Sequence, residues 1–298
     1  MASPAPRFPD EYEPDDEQAG VSVRPLSHAD LDAILAHLHE QDRDSLLAGT
    51  PADQPVVAVR VRATVGRPGA SAHAAWQARR AGELAGWLRG LPWRAALTLC
   101  VGATAALLAP RPGLLVGGAA ASLTGWALRF RTSPETRAWR RGAIGERRTA
   151  RLLARLERHG WAVLHDLAVP GSRANIDHLL IGPGGVFVVD SKLYTGKLHL
   201  APGGSLWHGR YPLAPVLRAV RFEAAQAAQT LATPGVEVVP LVAVHGAQVP
   251  WGKFVVDGVP VVGARRLPEL LRRLPATLGP ERVAGLADTA RVRFHAAA

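Results

Sequence analysis

The sequence NIDHLLIGPGGVFVVDSK at residues 175–192 has the pattern of a β-hairpin. Two apolar runs flank a Pro-Gly-Gly turn, and turn residues between apolar runs are the usual hairpin signal. Each run also carries an aspartate, Asp177 in the first and Asp190 in the second, where a buried strand would prefer an apolar residue. The stretch therefore predicts a hairpin with acidic side chains near its open end.

The register of this hairpin determines which side chains face each other. If the loop centres between Pro183 and Gly184, Asp177 lies opposite Asp190 with the Cβ atoms about 5 Å apart. Carboxylates at that distance repel each other unless a cation lies between them, and carboxylate oxygens are ligands that Mg²⁺ prefers. Lys192 shares a face with Asp190 because side chains alternate along a strand.

Two alternatives remain open for these acidic residues. A three-residue turn with a glycine bulge would shift the register and pair His178 with Asp190. A metal site therefore needs a loop with an even number of residues, or a bend that restores the geometry. The second alternative is that the two aspartates are solvated residues at strand ends and bind no metal.

The composition of the 298-residue chain is basic, with 35 Lys and Arg against 25 Asp and Glu and a net charge of +10. Residues 1–50 are acidic, so the positive charge is concentrated downstream and suggests binding to nucleic acid or anionic lipid. Nearly all of the basic residues are arginines. The single Cys100 excludes an internal disulfide and a zinc-thiolate cage, and the N-terminus does not resemble a signal peptide.

The first part of the chain, residues 1–70, is predicted to be mostly disordered because it is rich in acidic residues and proline. A helical apolar period predicts one short helix at 26–48, and an alternating pattern predicts a short strand at 56–65. No chemistry is predicted for this region.

Residues 73–131 are predicted to contain an amphipathic helix at 73–90 and a helical hairpin at 91–109 and 114–130. Arginines flank both ends of the hairpin, Trp93 and Trp126 lie where interfacial aromatics belong, and Gly117, Ala121 and Gly125 have the spacing of closely packed membrane helices. We therefore expect a membrane hairpin in the cell membrane with both termini in the cytoplasm. A buried hairpin in a soluble domain is the alternative.

Residues 138–298 have the pattern of an α/β domain with its core at 142–246. A helix at 142–160 precedes a strand at 161–169, the hairpin and a further strand at 196–200. A helix at 213–232 and an apolar strand at 236–244 complete the core. Short strands at 253–256 and 259–262 and helices at 265–274 and 280–292 are predicted after it.

GAIGE at 142–146, the hairpin with its I-D-H and D-x-K patterns, and YTGK at 194–197 closely resemble the nuclease-related domain, NERD. This family is assigned to the restriction-endonuclease-like, PD-(D/E)XK superfamily, and the resemblance covers about residues 140–246. It implies a restriction-endonuclease-like α-β-β-β-α-β core and metal-dependent hydrolysis of phosphodiester bonds.

The resemblance also implies roles for individual residues. Asp177 and Asp190 would hold Mg²⁺ or Mn²⁺, with the backbone carbonyl of Ser191 as a further ligand. Lys192 would position the attacking water or help to deprotonate it. Glu146 matches the acidic residue of the family's first helix, where it could orient Lys192 or bind a second metal through water. Its alternative role is that of a first-turn glutamate favoured by the helix dipole.

Three further polar residues have open roles. Some members of the superfamily use a glutamine on the helix after the hairpin, and the spacing does not choose between Gln226 and Gln229. We take Gln226 as the catalytic candidate, although both could be surface residues. His178 is expected to face the other side of the strand from Asp177, as a partly buried histidine that is hydrogen-bonded within the core.

Two functions therefore follow from the sequence. The first is a membrane-tethered, metal-dependent nuclease acting on DNA or RNA. The alternative is a non-catalytic module of the same fold that binds nucleic acid or a protein at the membrane. The presence of Asp177, Asp190 and Lys192 together favours the nuclease. The basic segments that flank the helical hairpin could also bind anionic lipid head groups.

Overall fold

A computed structural model describes residues 64–108, 113–127, 129, 131–172, 174–201 and 204–297. The predicted disorder, the predicted helix at 26–48 and the predicted strand at 56–65 up to residue 63 lie outside these residues.

The first described helices are α1 (Ala70–Arg89), α2 (Leu91–Leu108) and α3 (Gly113–Ala127). The last two pack against each other as a hairpin. A Cβ added to Gly102 would lie 3.3 Å from the Cβ of Ala121 and 3.6 Å from the carbonyl oxygen of Gly117, so the two backbones approach closely through small residues. The predicted pair of helices is therefore present.

The predicted membrane span of this hairpin is not supported. No helix among the described residues is long and apolar enough to cross a membrane. The 18 residues of α2 include Pro92 and Arg94 in the first turn.

Helix α4 (Pro134–Leu153) begins earlier than the predicted start at residue 142. Ser133 caps it, because the amide of Thr136 donates to the Ser133 hydroxyl over 3.1 Å, and proline occupies the first turn. The helix also ends before Gly160. A single 3₁₀ turn, Glu157–His159, follows it, and Gly160 ends that turn with a φ of 78°.

The remaining elements contain the predicted order of helix, three strands, helix and strand. They are β1 (Ala162–Ala168), β2 (Asn175–Gly182), β3 (Gly185–Leu200), β4 (Leu206–His208), β5 (Tyr211–Pro212), α5 (Ala214–Leu231), β6 (Val238–Gln248), β7 (Lys253–Val256), β8 (Val259–Gly263), α6 (Leu267–Arg272), α7 (Pro280–Arg293) and β9 (His295–Ala296). Short 3₁₀ turns, Pro250–Gly252 and Ala264–Arg266, precede β7 and α6.

The nine strands of the described residues form one mixed sheet in the order β7-β8-β6-β3-β2-β1-β9, with β4 and β5 attached to the end of β3. Strands β1, β2 and β3 are antiparallel to one another, whereas β3 and β6 are parallel. The fold is therefore mixed α/β, with β3 at its centre.

Helices cover both faces of this sheet. On the first, which we call the α4 face, Leu153 of α4 and Leu267 of α6 pack against Val189. On the second, the α5 face, Val220 of α5 and Leu286 of α7 join a cluster that includes Val188. Because neighbouring residues of β3 point to opposite faces, both helical layers bury apolar side chains of the same strand.

The hairpin of β2 and β3 has the two-residue loop on which the predicted register depends. Gly182 pairs with Gly185 across Pro183 and Gly184, and the ladder continues to the pair of His178 and Val189. The glycine-bulge alternative is therefore wrong. Asp177 and Asp190 lie one step beyond the last ladder pair, at the end of the hairpin that is farthest from its loop.

Helix α1 is attached to the α/β part of the chain at two points. The Glu83 carboxylate accepts hydrogen bonds from the Thr136 hydroxyl over 2.6 Å and from the Ser133 amide over 3.2 Å, at the start of α4. At the other end of α1, the Ser71 amide donates to the Asp166 carboxylate over 2.9 Å. Residues 64–89 therefore pack on the α/β fold.

Candidate active site

Asp190 and Lys192 form an ion pair on the α5 face of β3. The Lys192 Nζ donates to the Asp190 Oδ1 over 2.6 Å. The pair is buried only on its Asp190 side, because Asp190 is 4% exposed whereas 32% of the Lys192 side chain is exposed. The second carboxylate oxygen, Oδ2, has no hydrogen-bond partner among the described residues. Leaving a buried acceptor unpaired costs free energy, so this oxygen is available to a cation or to a donor from a ligand.

Asp177 and Ser191 meet where the ladder between β2 and β3 has ended. The Ser191 amide donates to the Asp177 Oδ2 over 2.8 Å. The amide and carbonyl of one strand residue point to the same side, so the Ser191 carbonyl faces the Asp177 side as well. The chain thus brings Asp177, Asp190 and the Ser191 carbonyl, the three predicted metal ligands, to one end of the hairpin.

Gly145 of α4 lies directly against this end of β3. A Cβ at Gly145 would be 3.4 Å from the Leu193 Cβ and 3.8 Å from the Ser191 carbonyl oxygen, whereas a Cβ at Gly142 would meet no atom within 4 Å. Of the two glycines in the G-x-x-G-E pattern, only the second is therefore in contact with the candidate site.

Glu146 is buried beside these residues, with 6% of its surface exposed. Burial, followed by the charge of Asp166, raises the pKa of Glu146 to about 7, and Asp190 adds to this rise. Lys192 and a hydrogen bond from the Gly69 amide act in the opposite direction. The first-turn explanation for Glu146 is wrong, because α4 begins at Pro134 and Glu146 lies well inside the helix.

The other charged groups are coupled in the same way. Burial, then the charges of Glu146 and Asp190, raise the pKa of Asp177 well above its usual value. Burial alone would lower the pKa of Lys192, but the carboxylates of Asp190 and Asp177 outweigh it and hold that pKa above its usual value. Several carboxyl groups therefore surround one ammonium group, and their mutual repulsion favours partial protonation.

Glu223 of α5 belongs to this group, although the sequence analysis did not select it. Burial, then the charge of Asp190, raise the pKa of Glu223 to about 8. Gln226, the predicted catalytic residue, instead donates to the Gln229 Oε1 over 3.3 Å in an exposed position. The sequence does contain a signal for this residue. Glu223 lies between Val220 and Ala224 on the apolar side of an amphipathic helix, where a glutamate is unusual.

His178 lies on the opposite, α4 face of the sheet and takes part in a buried row of polar groups. The row runs from His165 to His178 (Nδ1 to Nδ1, 2.8 Å), to the Ser191 hydroxyl (3.1 Å), to the Thr149 hydroxyl (2.8 Å) and to the His245 Nε2 (2.8 Å). We call these five residues the polar row. His178 is thus a hydrogen-bonded core histidine, as expected from the sequence.

The three histidines of the polar row are held in the neutral state. Burial lowers the pKa of His165 to about 4. Burial, then the neighbouring histidines, lower the pKa of His178 well below its usual value, and burial also lowers the pKa of His245. The row therefore consists of uncharged donors and acceptors, whereas Asp190 and Lys192 on the other face of β3 form an ion pair.

The donor set fits a hard divalent cation only in part. Within the described ranges, no three side chains of the types His, Cys, Asp and Glu are placed to hold a metal ion together. Two carboxylates and one backbone carbonyl are nevertheless oxygen donors of the type that Mg²⁺ prefers, and the unpaired Oδ2 of Asp190 is one of them. The predicted metal ion stays a prediction.

The fold and the site together define a mixed α/β domain with a carboxylate–lysine cluster at the end of its central hairpin. Residues 141–245 of this chain match the family model described as nuclease-related domain, NERD, which confirms the resemblance seen in the sequence. The matched segment extends from within α4 to β6 and is similar to that domain.

A curated relative gives a shorter match. An uncharacterized protein of Bacillus anthracis is 34% identical over 70 residues, which are 22% of this chain and 33% of that protein. The chain thus spans about a third of the length of the relative. No solved structure matches this chain.

Proposed function

We propose that this protein is a metal-dependent nuclease with a restriction-endonuclease-like core, which hydrolyses phosphodiester bonds of DNA or RNA. The observation that carries the proposal is Asp190: one of its buried carboxylate oxygens is paired with Lys192, and the other has no partner in the described part of the chain. Asp177 and the Ser191 carbonyl face the same end of the hairpin.

In this proposal Asp177, Asp190 and the Ser191 carbonyl hold Mg²⁺ or Mn²⁺. Such an ion, when bound, lowers the pKa of a coordinated water and neutralises charge on phosphoryl oxygens. Lys192 stays protonated at neutral pH because its pKa is raised. It therefore orients the water or the phosphate and stabilises the negative charge that develops there, rather than accepting a proton.

Two glutamates are better suited to proton transfer than Lys192. A general base works best when its pKa lies near the working pH. Without metal, the pKa values of Glu146 and Glu223 are raised to about 7 and about 8, and a bound cation would lower both, so that the glutamates are ionised and can accept a proton. Both are electrostatically coupled to Asp190. We propose that one of them accepts the proton released by the attacking water.

Nucleic acid is the partner that the composition supports. The chain has a net charge of +10, and Lys and Arg bind the phosphate backbone of nucleic acids without regard to sequence.

The location at the cell membrane, with both termini in the cytoplasm, stays a prediction that fractionation of cells by high-speed centrifugation can test.

The test of the nuclease proposal uses the full-length chain and its variant Asp190→Asn. Calorimetric titration with Mg²⁺ and Mn²⁺ measures metal binding, and a panel of single- and double-stranded DNA and RNA measures cleavage. We expect Asp190→Asn to abolish metal-dependent cleavage and to weaken metal binding at least tenfold, because it removes a ligand charge.

Asp257→Asn is the matched control, since Asp257 is an exposed residue of the turn between β7 and β8. It should keep full binding and cleavage. Cleavage by Asp190→Asn at the wild-type rate would refute the site. Binding of nucleic acid by the wild type without cleavage of any substrate would establish the non-catalytic module instead.

A further inference from the structure

A cleft of about 770 Å³ lies on the α4 face, away from the carboxylate cluster. It is open to solvent and is lined by α4, by the end of β6, by Gly252 and by residues 263–266. The basic side chains in its lining are Arg148, Arg151, Arg155, Arg265 and Arg266, and His245 lies at its floor. We call it the arginine cleft.

The charge of the arginine cleft is uncompensated. Its lining contains no acidic residue, and in the described part of the chain none of the five guanidinium groups forms an ion pair with a carboxylate. After burial, the charges of Arg148 and Arg265 are the main causes that lower the pKa of His245, so both arginines act on the floor of the cleft. Converging like charges of this kind favour an anionic ligand.

The backbone around the cleft makes room for these side chains. A Cβ on Gly252 would lie 2.6 Å from the Cζ of Arg266, so glycine at this position leaves space for the guanidinium group. Gly246, with a φ of 77°, allows β6 to approach the Tyr194 carbonyl, which a Cβ would meet at 2.3 Å. Leu152 and Val249 supply apolar surface beside the arginines.

The size and chemistry of the cleft indicate one class of ligand. Small-molecule sites in proteins have volumes of roughly 300–1,000 Å³, and the planar guanidinium group of arginine matches the oxygens of phosphate in a bidentate geometry. Five arginines exceed what a single phosphate requires, whereas two or three phosphate groups could contact all of them. The apolar surface beside them fits a base or a sugar.

We propose that the arginine cleft is a second site, which binds the phosphate groups of a nucleotide-sized ligand. It is separate from the carboxylate cluster, because its lining contains none of the cluster residues Glu146, Asp177, Asp190, Lys192 and Glu223. Two kinds of ligand carry such phosphate groups, a free nucleotide and the phosphorylated end of a nucleic-acid strand. The proposal does not depend on nuclease activity.

The test measures binding to the full-length chain at low salt in the presence of EDTA, so that a metal at the carboxylate cluster cannot contribute. The probes are adenosine triphosphate, inorganic pyrophosphate, and a trinucleotide with and without a 5′-phosphate. We expect micromolar binding of at least one phosphorylated probe. The double variant Arg148→Gln/Arg265→Gln should weaken it by roughly tenfold or more, because two charge-assisted contacts are lost.

Two further variants separate a built site from general attraction to a basic protein. Arg210→Gln/Arg218→Gln removes the same charge from exposed positions outside the cleft and should bind like the wild type. Arg148→Lys/Arg265→Lys keeps the charge but loses the bidentate geometry and should give an intermediate affinity.

The outcomes are distinct. Binding of adenosine triphosphate and pyrophosphate identifies a free nucleotide as the source, and binding of the 5′-phosphorylated trinucleotide alone identifies a strand end. Absence of binding by every probe, or an equal loss in the Arg210→Gln/Arg218→Gln variant, would overturn the proposal. Nuclease activity does not enter any of these measurements, so the two proposals fail independently.

Discussion

Asp190 influences the protonation of three carboxyl groups around it. Its charge contributes to the raised pKa values of Glu146, Asp177 and Glu223, although burial is the larger cause in each case. Lys192 forms its ion pair with Asp190 and not with any of these three groups. Without a bound cation, ionisation of these glutamates adds repulsion among the carboxylates. The free energy of unfolding therefore falls as pH rises.

The first prediction at this scale concerns Glu223. A glutamate titrates near 4.5 when unfolded, and Glu223 titrates at about 8 when folded. Between these two pH values, the folded state keeps a proton that the unfolded state has already lost. The stability due to this proton is fully present below about pH 4.5 and is lost as pH rises towards 8, by at most about 1.4 kcal/mol per pH unit.

Glu223→Gln should therefore flatten the decline of the melting temperature between about pH 5 and pH 8.5. Thermal unfolding of the metal-free chain across this range provides the measurement. Glu281→Gln, a change on the exposed surface of α7, is the control and should leave the decline unaltered. A decline of the same steepness in Glu223→Gln would contradict the raised pKa.

The second prediction concerns Thr149 in the polar row. Thr149→Val keeps the shape of the side chain but removes the hydroxyl that joins Ser191 to His245. Two buried polar groups lose a partner, so we expect the free energy of unfolding to fall by about 1–3 kcal/mol. Thr289→Val on the exposed face of α7 should change it by less than about 0.5 kcal/mol. Denaturant titration distinguishes the two.

At the scale of the element, the loop of the central hairpin depends on close packing as well as on turn chemistry. Gly182 lies against the ring of Trp161, and a Cβ at this position would come within 2.1 Å of the ring atom Cδ2. Gly184 faces Leu274 in a similar way, with a Cβ distance of 2.8 Å. The hairpin therefore has glycine at these positions for reasons of space.

Gly182→Ala should lower the free energy of unfolding by about 1–3 kcal/mol, the usual cost of overpacking. Gly142→Ala provides the comparison, because a Cβ there meets nothing within 4 Å and alanine is the better helix former by about 1 kcal/mol. The two variants should shift the midpoint of urea unfolding in opposite directions. A shift in the same direction would contradict this account of the loop.

At the scale of the whole molecule, α1 links the N-terminal helices to the α/β fold. Its Glu83 is bound to Ser133 and Thr136 at the start of α4, and its Ser71 is bound to Asp166 beside the candidate site. The predicted domain start at residue 138 falls inside α4. A fragment that begins at residue 138 lacks both the Ser133 cap and the contacts of α1.

We therefore expect a fragment of residues 138–298 to melt several degrees below a fragment of residues 64–298, since loss of a helix cap alone costs about 1 kcal/mol. Thermal unfolding at matched concentration and pH provides the measurement. Equal melting temperatures would show that α1 contributes nothing to the stability of the α/β fold.

The hairpin and the order of helices and strands in the core were predictable because their signals are local. Alternating apolar residues, a Pro-Gly-Gly turn and a helical apolar period all lie within short windows of sequence. The start of α4 was missed because its apolar face becomes clear only after Gly142, although Ser133 and Pro134 provide an N-terminal signal.

Other features depend on contacts that no short window contains. The order of the sheet places β9, the last strand, beside β1. The polar row joins residues from four strands and a helix, and the raised pKa of Glu223 depends on burial and on Asp190 of β3. The family resemblance supplied the expected roles of Asp177, Asp190 and Lys192, but it gave no indication of the arginine cleft.

The polar row has a consequence for the positions of its hydrogens. A neutral imidazole has one N–H and one lone pair, and each hydroxyl has one hydrogen to give. With Ser191 donating to Thr149, the Ser191 oxygen can only accept from His178, so His178 donates from Nε2 and accepts at Nδ1 from His165. Reversal of the bond between His178 and Ser191 alone would set two hydrogens or two lone pairs against each other, so the three bonds from His165 to Thr149 reverse together. The tautomer of His165 is thereby tied to the direction of the hydroxyl bond between β3 and α4, two strands away.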